Sequence, residues 1–117
     1  MQHFTPAEIR HIEDCYEDFL KEIRNKFDDT RLARIEKAFR FAIEAHDGIK
    51  RKSGEPFIIH PIAVAKIVAK ELGLGATSIV AAILHDVVED TEYRLSDIEN
   101  MFGEKVARIV DLSLIHI

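Results

Sequence analysis

The stretch ILHDVVEDT, residues 83–91, sets His85 and Asp86 side by side after an apolar run and follows them one turn later with Glu89 and Asp90. On a helix, neighbours in sequence point about 100° apart while residues four apart stack, so all four groups can border one pocket. A neutral imidazole and a carboxylate on adjacent residues can ligate one divalent ion without bending the helix. A mixed nitrogen and oxygen set suits Mn, Fe, Ni or Zn better than Ca or Mg. Such an ion lowers the pKa of bound water, and Glu89 and Asp90 are then placed to orient that water or take its proton. The plainer alternative is that polar residues in a last turn mark only the emergence of a buried helix into solvent. The apolar run at residues 79–84 weighs against it, because His85 and Asp86 left unpaired beside such side chains would be costly.

His60, in EPFIIHPIAV, is the next candidate ligand. The residue before a proline is held extended, so its side chain should have a fixed direction at a helix entrance; simple capping is the competing role. His46, following Ala45, reads as a hydrogen-bonded structural residue or a support for the ligands, and His3, His11 and His116 as surface or terminal residues. The loop KRKSGEP gathers Lys50, Arg51 and Lys52 with Ser53 and Gly54. A solvated basic loop is the ordinary reading. Just ahead of His60, however, it could attract a phosphorylated small molecule, with the planar guanidinium of Arg51 stacking on a base.

These residues need a scaffold, and 117 residues with 47% hydrophobic and 32% charged content suit one globular domain. The net charge of −5 gives no general reason to bind nucleic acid. A single cysteine, Cys15, excludes an internal disulfide and a thiolate metal cluster, and suits a reducing compartment. No apolar segment reaches the roughly 18 residues that span a bilayer, and the N-terminus lacks signal-peptide order, so a cytoplasmic protein away from the membrane is expected. Thr5, Pro6 and Glu8 form a capping box that opens a helix with Ile9, Ile12, Tyr16, Phe19, Leu20, Ile23 and Phe27 on one face. A second helix is expected over residues 31–45, then the polar loop, then a helix entered at Pro61 and stopped at Gly73. The following helix, from Ala76, is apolar almost all round and should be central. Ser96 and Glu99 suggest a further capping box, and Gly103 separates one last helix. No repeat or low-complexity segment appears, and PFIIHP is too short and Pro-flanked to read as a strand. The pattern predicts an all-α protein, an irregular bundle of about six helices.

As a set, AHDGIKRKSGEPFIIHPIAVAKIV, AAILHDVVEDT and LSDIENMFGEKVARIVD resemble the N-terminal hydrolase domain of RelA/SpoT bifunctional alarmone enzymes, a branch of the HD metal-dependent phosphohydrolases. The likeness runs from Phe4 to Asp111, with RKSGEP, IIHP and HDVVEDT in the right order and spacing. It implies an HD-type helical bundle that hydrolyses (p)ppGpp at its 3′-diphosphate, giving GDP or GTP and pyrophosphate, with Mn2+ as cofactor at one site. By resemblance, His60, His85 and Asp86 are metal ligands and Glu89 and Asp90 position or activate the attacking water. Arg51, Lys52 and Ser53 lie along the nucleotide, with Arg51 against the guanine. The intact HDVVEDT resembles hydrolysis-competent members, since members that only synthesise the alarmone usually carry degenerate residues there. Synthetase and regulatory domains are expected downstream in a full-length protein.

Two departures from the family pattern stand out. Ile49 occupies a position where the family often has Gln. After ARIVD the pattern would continue and later supply an aspartate as fourth metal ligand, whereas this chain reads LSLIHI; Asp111 comes too early for that role. LSLIHI is also what the transposase-adapter DNA end CTGTCTCTTATACACATC encodes in one frame. Residues 1–111 are therefore expected to be the N-terminal part of an HD hydrolase domain and residues 112–117 a foreign tail, with His116 given no function. Missing C-terminal helices would leave part of the apolar helix at residues 76–84 exposed. Two other functions compete: an HD phosphohydrolase for a different nucleotide, and a non-catalytic helical module that binds nucleotide or a partner.

Overall fold

Apolar side chains spaced three and four apart build six helices in the computed structural model, which describes residues 2–115, with side chains described through Leu112. They are α1 (Pro6–Ile23), α2 (Asp29–Ala45), α3 (Ile59–Lys70), α4 (Ala76–Asp90), α5 (Leu95–Phe102) and α6 (Glu104–Ile115). Among the described residues there is no strand, only an isolated antiparallel bridge between Lys50 and Pro56. The all-α expectation is met.

The apolar α4 is the central helix. α4 packs against α2, α3 and α6, while α1 lies on α3 and α5 on α6. Ile79, Val80, Ile83, Leu84 and Val87 of α4 are buried among Ile35, Phe39 and Ala42 of α2, Ala65 and Ala69 of α3, and Val106 and Val110 of α6. Full burial of one such large side chain is worth about 1.5–3 kcal/mol, so this layer fixes where the end of α4 stands. Tyr16 stacks on Phe39 with ring centroids 3.7 Å apart, and its hydroxyl donates to Glu36 Oε2 at 2.5 Å.

Several boundaries depart from the sequence reading. α1 keeps its predicted capping box, with Glu8 N–H donating to Thr5 Oγ1 at 3.1 Å and Thr5 N–H to Glu8 Oε1 at 2.9 Å, but it ends at Ile23 and leaves Phe27 beyond it. α2 starts ahead of Arg31 because Asp28 caps it, accepting from Arg31 N–H at 2.9 Å. α3 begins at Ile59 rather than at Pro61. A proline fits the first turn, where a backbone N–H needs no helical partner, and the buried Ile58 draws the chain into helix early. His60 is thus helical, not extended, and its N–H donates to Phe57 O at 3.0 Å. α5 is not capped by Ser96 and Glu99; Asp97 Oδ2 accepts from Arg94 N–H at 2.9 Å and starts the helix at Leu95.

The expected exposure of α4 is also corrected. Ala76, Ile79, Val80, Ala81, Ile83 and Leu84 are buried, and only Thr77, Ser78 and Ala82 are partly open, because α2, α3 and α6 cover the rest. α6 runs through Asp111 to Ile115. Residues 116 and 117 of the expected tail, His116 among them, lie outside the described residues.

Candidate metal centre

α4 emerges from the core at its last turns, and there its sequence switches from apolar to ionisable. Among the described residues, His85, Asp86 and Glu89 offer ligand atoms that all lie within 4.8 Å of one another. His85 is half-buried, Asp86 is buried and Glu89 is exposed, so the group runs from core to solvent. This gradient follows from the helix: Asp86 shares the face of Ile79 and Ile83, while Glu89 lies on the turn beyond.

The hydrogen bonds fix the imidazole. His85 Nδ1 lies 3.2 Å from Ala82 O, which can only accept, so Nδ1 carries the proton and Nε2 of the neutral ring is a bare lone pair. That lone pair stands 3.1 Å from Asp86 Oδ1. Two electron-rich atoms at this separation repel unless a proton or a cation lies between them. Asp86 Oδ2 is buried without any hydrogen-bond partner, an arrangement that costs free energy in a protein closed on itself. A nitrogen and an oxygen donor 3.1 Å apart, a third carboxylate beside them and a ring locked by a backbone carbonyl could hold a divalent transition-metal ion, so the residues present fit such an ion.

Asp90 takes the other side of the same turn. Its Oδ2 lies 3.8 Å from Nε2 of His46, a ring that is completely buried at the end of α2. Burial pushes the Asp90 carboxyl up from its ordinary range, the Asp86 carboxylate adds to this, and His46 opposes it. Glu89 and Asp90, read together as a pair from sequence, therefore diverge.

His60 is exposed in the first turn of α3 and is not part of the His85 group. It joins the region through aromatic rings: Phe57 lies 6.2 Å from His60, edge to face, and 5.6 Å from His46, stacked. Phe57 N–H in turn donates to Ile49 O at 2.9 Å, closing the base of the basic loop.

That loop is a tight turn. Gly54 N–H donates to Arg51 O at 2.8 Å and Arg51 N–H to Glu55 O at 2.9 Å, with Gly54 at φ 91°, a conformation that glycine adopts at no steric cost. Arg51, Lys52 and Ser53 are exposed. The Ser53 hydroxyl accepts from Glu55 N–H at 3.4 Å, so it braces the turn. Lys50, grouped with these cations in the sequence, is instead paired to Glu8 at 2.9 Å. Among the described residues no carboxylate pairs with Arg51 or Lys52, which leaves both charges available to an anion.

The sequence reading missed what holds this loop. His3 Nδ1 lies 2.5 Å from Asp47 Oδ2, and Phe4 N–H donates to Asp47 Oδ1 at 2.9 Å. Gly48 has φ 78°, and a Cβ there would collide with the Gln2 carbonyl. The signal available was Asp47-Gly48 itself, a pair that marks a tight turn; nothing local pointed to residues 2–4 as its partner. Burial pushes the Cys15 thiol up from its ordinary range, which disfavours the thiolate form.

A groove of about 300 Å³ runs between α3, α4 and α6, lined by Val64, Val68, Leu74, Ser78, Ala82 and His85 among others. It is mostly apolar and reaches the candidate metal centre at His85.

The family described as HD domain matches residues 38–113, from the middle of α2 into α6. The chain belongs to the HD-domain family. The matched residues include His85 and Asp86 at the end of α4. Among curated relatives, it is 43% identical over 102 residues to a probable guanosine-3′,5′-bis(diphosphate) 3′-pyrophosphohydrolase of Synechocystis, covering 86% of this chain and 13% of that protein. It is 41% identical over 96 residues to the bifunctional (p)ppGpp synthase/hydrolase SpoT of Escherichia coli, covering 82% of this chain and 14% of the relative. A GTP pyrophosphokinase of Streptomyces coelicolor is 48% identical over 86 residues, 74% of this chain and 10% of that protein. This HD-domain chain thus spans a small part of the length of these relatives. No helix among the described residues is long and apolar enough to cross a membrane.

Proposed function

We propose that this HD domain hydrolyses (p)ppGpp at the 3′-diphosphate, releasing pyrophosphate and leaving GDP or GTP, as the hydrolase part of a bifunctional alarmone enzyme. The observation that carries the reading is the convergence of His85 Nε2 on Asp86 Oδ1, 3.1 Å apart, next to the orphaned Asp86 Oδ2. The names of the relatives supply the substrate class, and the unpaired Arg51 and Lys52 supply charge to meet its phosphates. The HD-domain chain would work in the cytoplasm beside synthetase and regulatory regions.

His85 and Asp86 would hold a Mn2+ ion, with His60 as the third ligand carried over from the family and Glu89 beside them. Bound there, the ion would supply charge neutralisation at the phosphoryl group and a more acidic water. Glu89 would take the proton of the attacking water at a carboxylate oxygen, and Asp90 would hold that water in line as the ribose 3′ oxygen leaves with the electron pair of its P–O bond. Arg51 and Lys52 would bind the nucleotide phosphates or stack on the base, and Ser53 would keep the turn that presents them.

The test is pyrophosphate release from ppGpp by this chain with and without Mn2+, compared with dNTP and cyclic-nucleotide substrates. Mn2+-dependent turnover of ppGpp that collapses when Glu89→Gln and Asp90→Asn are combined is the expected result. Unchanged turnover in that double variant removes the catalytic role of the two carboxylates. Preference for another nucleotide moves the reading to a different phosphohydrolase, and failure to take up Mn2+ moves it to a binding module.

A further inference from the structure

The proposed chemistry leaves one buried polar atom unexplained. His46 is completely buried, and its Nδ1 lies 3.0 Å from Ala42 O, which can only accept, so Nδ1 carries a proton and is fully used. The other ring nitrogen, Nε2, is buried with no hydrogen-bond partner. Among the described residues its ion-pair partner is Asp90, with Oδ2 at 3.8 Å, a separation longer than a hydrogen bond. The ring cannot swing away, because Phe57 is stacked against it and Ala42 O holds its other side. Asp90 can move, since its side chain is 32% exposed.

From this geometry we infer that His46 is a positioning residue that holds the Asp90 carboxylate toward the reaction site through Nε2. The inference rests on the proposed hydrolase reading for its catalytic consequence, and on the structure alone for the contact. Nε2 is the ring nitrogen left without a partner and it faces the Asp90 carboxylate, so a small closing motion of Asp90 brings the two to hydrogen-bond distance. A core histidine kept only for packing would need no second polar partner. His46 also ties the two halves of the site together, because Phe57 on its face anchors the base of the basic loop through Ile49 O.

Two amide substitutions separate the roles of the ring nitrogens. His46→Asn keeps a donor where Nδ1 meets Ala42 O and removes the group facing Asp90. His46→Gln keeps a polar group near the Nε2 position and gives up the Ala42 bond. Under the inference, His46→Asn lowers kcat for ppGpp hydrolysis by about 10-fold to 100-fold with KM little changed, the range for removing an orienting partner, while His46→Gln recovers much of it. In an Asp90→Asn background, His46→Asn has little further effect.

The contact is read independently of activity by long-range proton–nitrogen NMR of the histidine rings. The Nε2 resonance of His46 should be that of a proton-sharing nitrogen, should move toward the bare-nitrogen position in Asp90→Asn, and should stay in place in Glu89→Gln. An Nε2 resonance indifferent to Asp90→Asn overturns the contact. Equal losses in His46→Asn and His46→Gln overturn the positioning role and make His46 a packing residue. If the unsubstituted chain releases no pyrophosphate, the hydrolase reading fails and takes the catalytic consequence with it, while the NMR result still decides the contact.

Discussion

The end of α4 and the basic loop at residues 47–56 are the two halves of the candidate site, and they are held in different ways. Asp86 and His85 ride on a helix whose apolar face is locked into the core, so their placement follows from packing. The loop has almost no core of its own. It is pinned at its edges by polar contacts: Asp47 to His3 and Phe4, Lys50 to Glu8, and Phe57 to Ile49. The difference teaches that side chains on a core-packed helix are placed by burial, whereas an exposed basic loop is held by a few exchangeable polar contacts.

Asp86→Asn is the sharpest way to break the comparison. It removes the charged donor with the orphaned oxygen, so Mn2+ affinity should fall by more than about 100-fold, beyond what losing a supporting partner does. The metal-free protein should lose little stability, because an amide in place of a buried, unsatisfied carboxylate relieves a desolvated charge. Calorimetric Mn2+ titration and thermal melting of the apo form read the two effects; a large loss of apo stability would make Asp86 structural.

Gly48→Ala should strike the other half. It forces a side chain into a left-handed backbone conformation and against the Gln2 carbonyl, at an expected loss of about 1–2 kcal/mol. Hydrogen exchange should show protection lost over residues 47–57 with α4 unaffected. Equal loss of protection in α4 would mean that the two halves form one cooperative unit.

Arg51→Ala combined with Lys52→Ala touches neither framework. Both side chains are exposed and unpaired, so stability should stay within about 0.5 kcal/mol. Nucleotide binding should weaken by about tenfold, with a shallower salt dependence, in equilibrium dialysis. An unchanged affinity would detach the loop from substrate.

The smallest effect is on pH. The His3 ring and the Phe4 N–H beside Asp47 hold its carboxyl below the usual carboxylate range. A lowered folded pKa means that this contact stabilises fully above the unfolded value of about 3.9 and is lost as pH falls through the lower folded value. Exchange of the Phe4 amide should accelerate over that acid window, and Asp47→Asn should remove the pH dependence of this acceleration.

Local chemistry made much of this legible in the sequence. The capping box at Thr5 and Glu8, the buried character of α4 and the His85-Asp86 pair all depend on residues within one turn of each other, where spacing dictates geometry. Boundaries were misread where a competing partner won: Asp28 at α2, Asp97 at α5 and the buried Ile58 ahead of Pro61.

By itself, then, the sequence determined that the chain is helical, which helix is central and which two adjacent side chains stand at its end. Only the tertiary structure decided that Asp90 turns to His46, that Lys50 is taken by Glu8, and that residues 2–4 clamp the loop at Gly48. Those partners are distant in the chain and meet because the core sets helix against helix. Periodicity reports which face of a helix is buried, but the identity of what lies across that face is a property of the assembled fold.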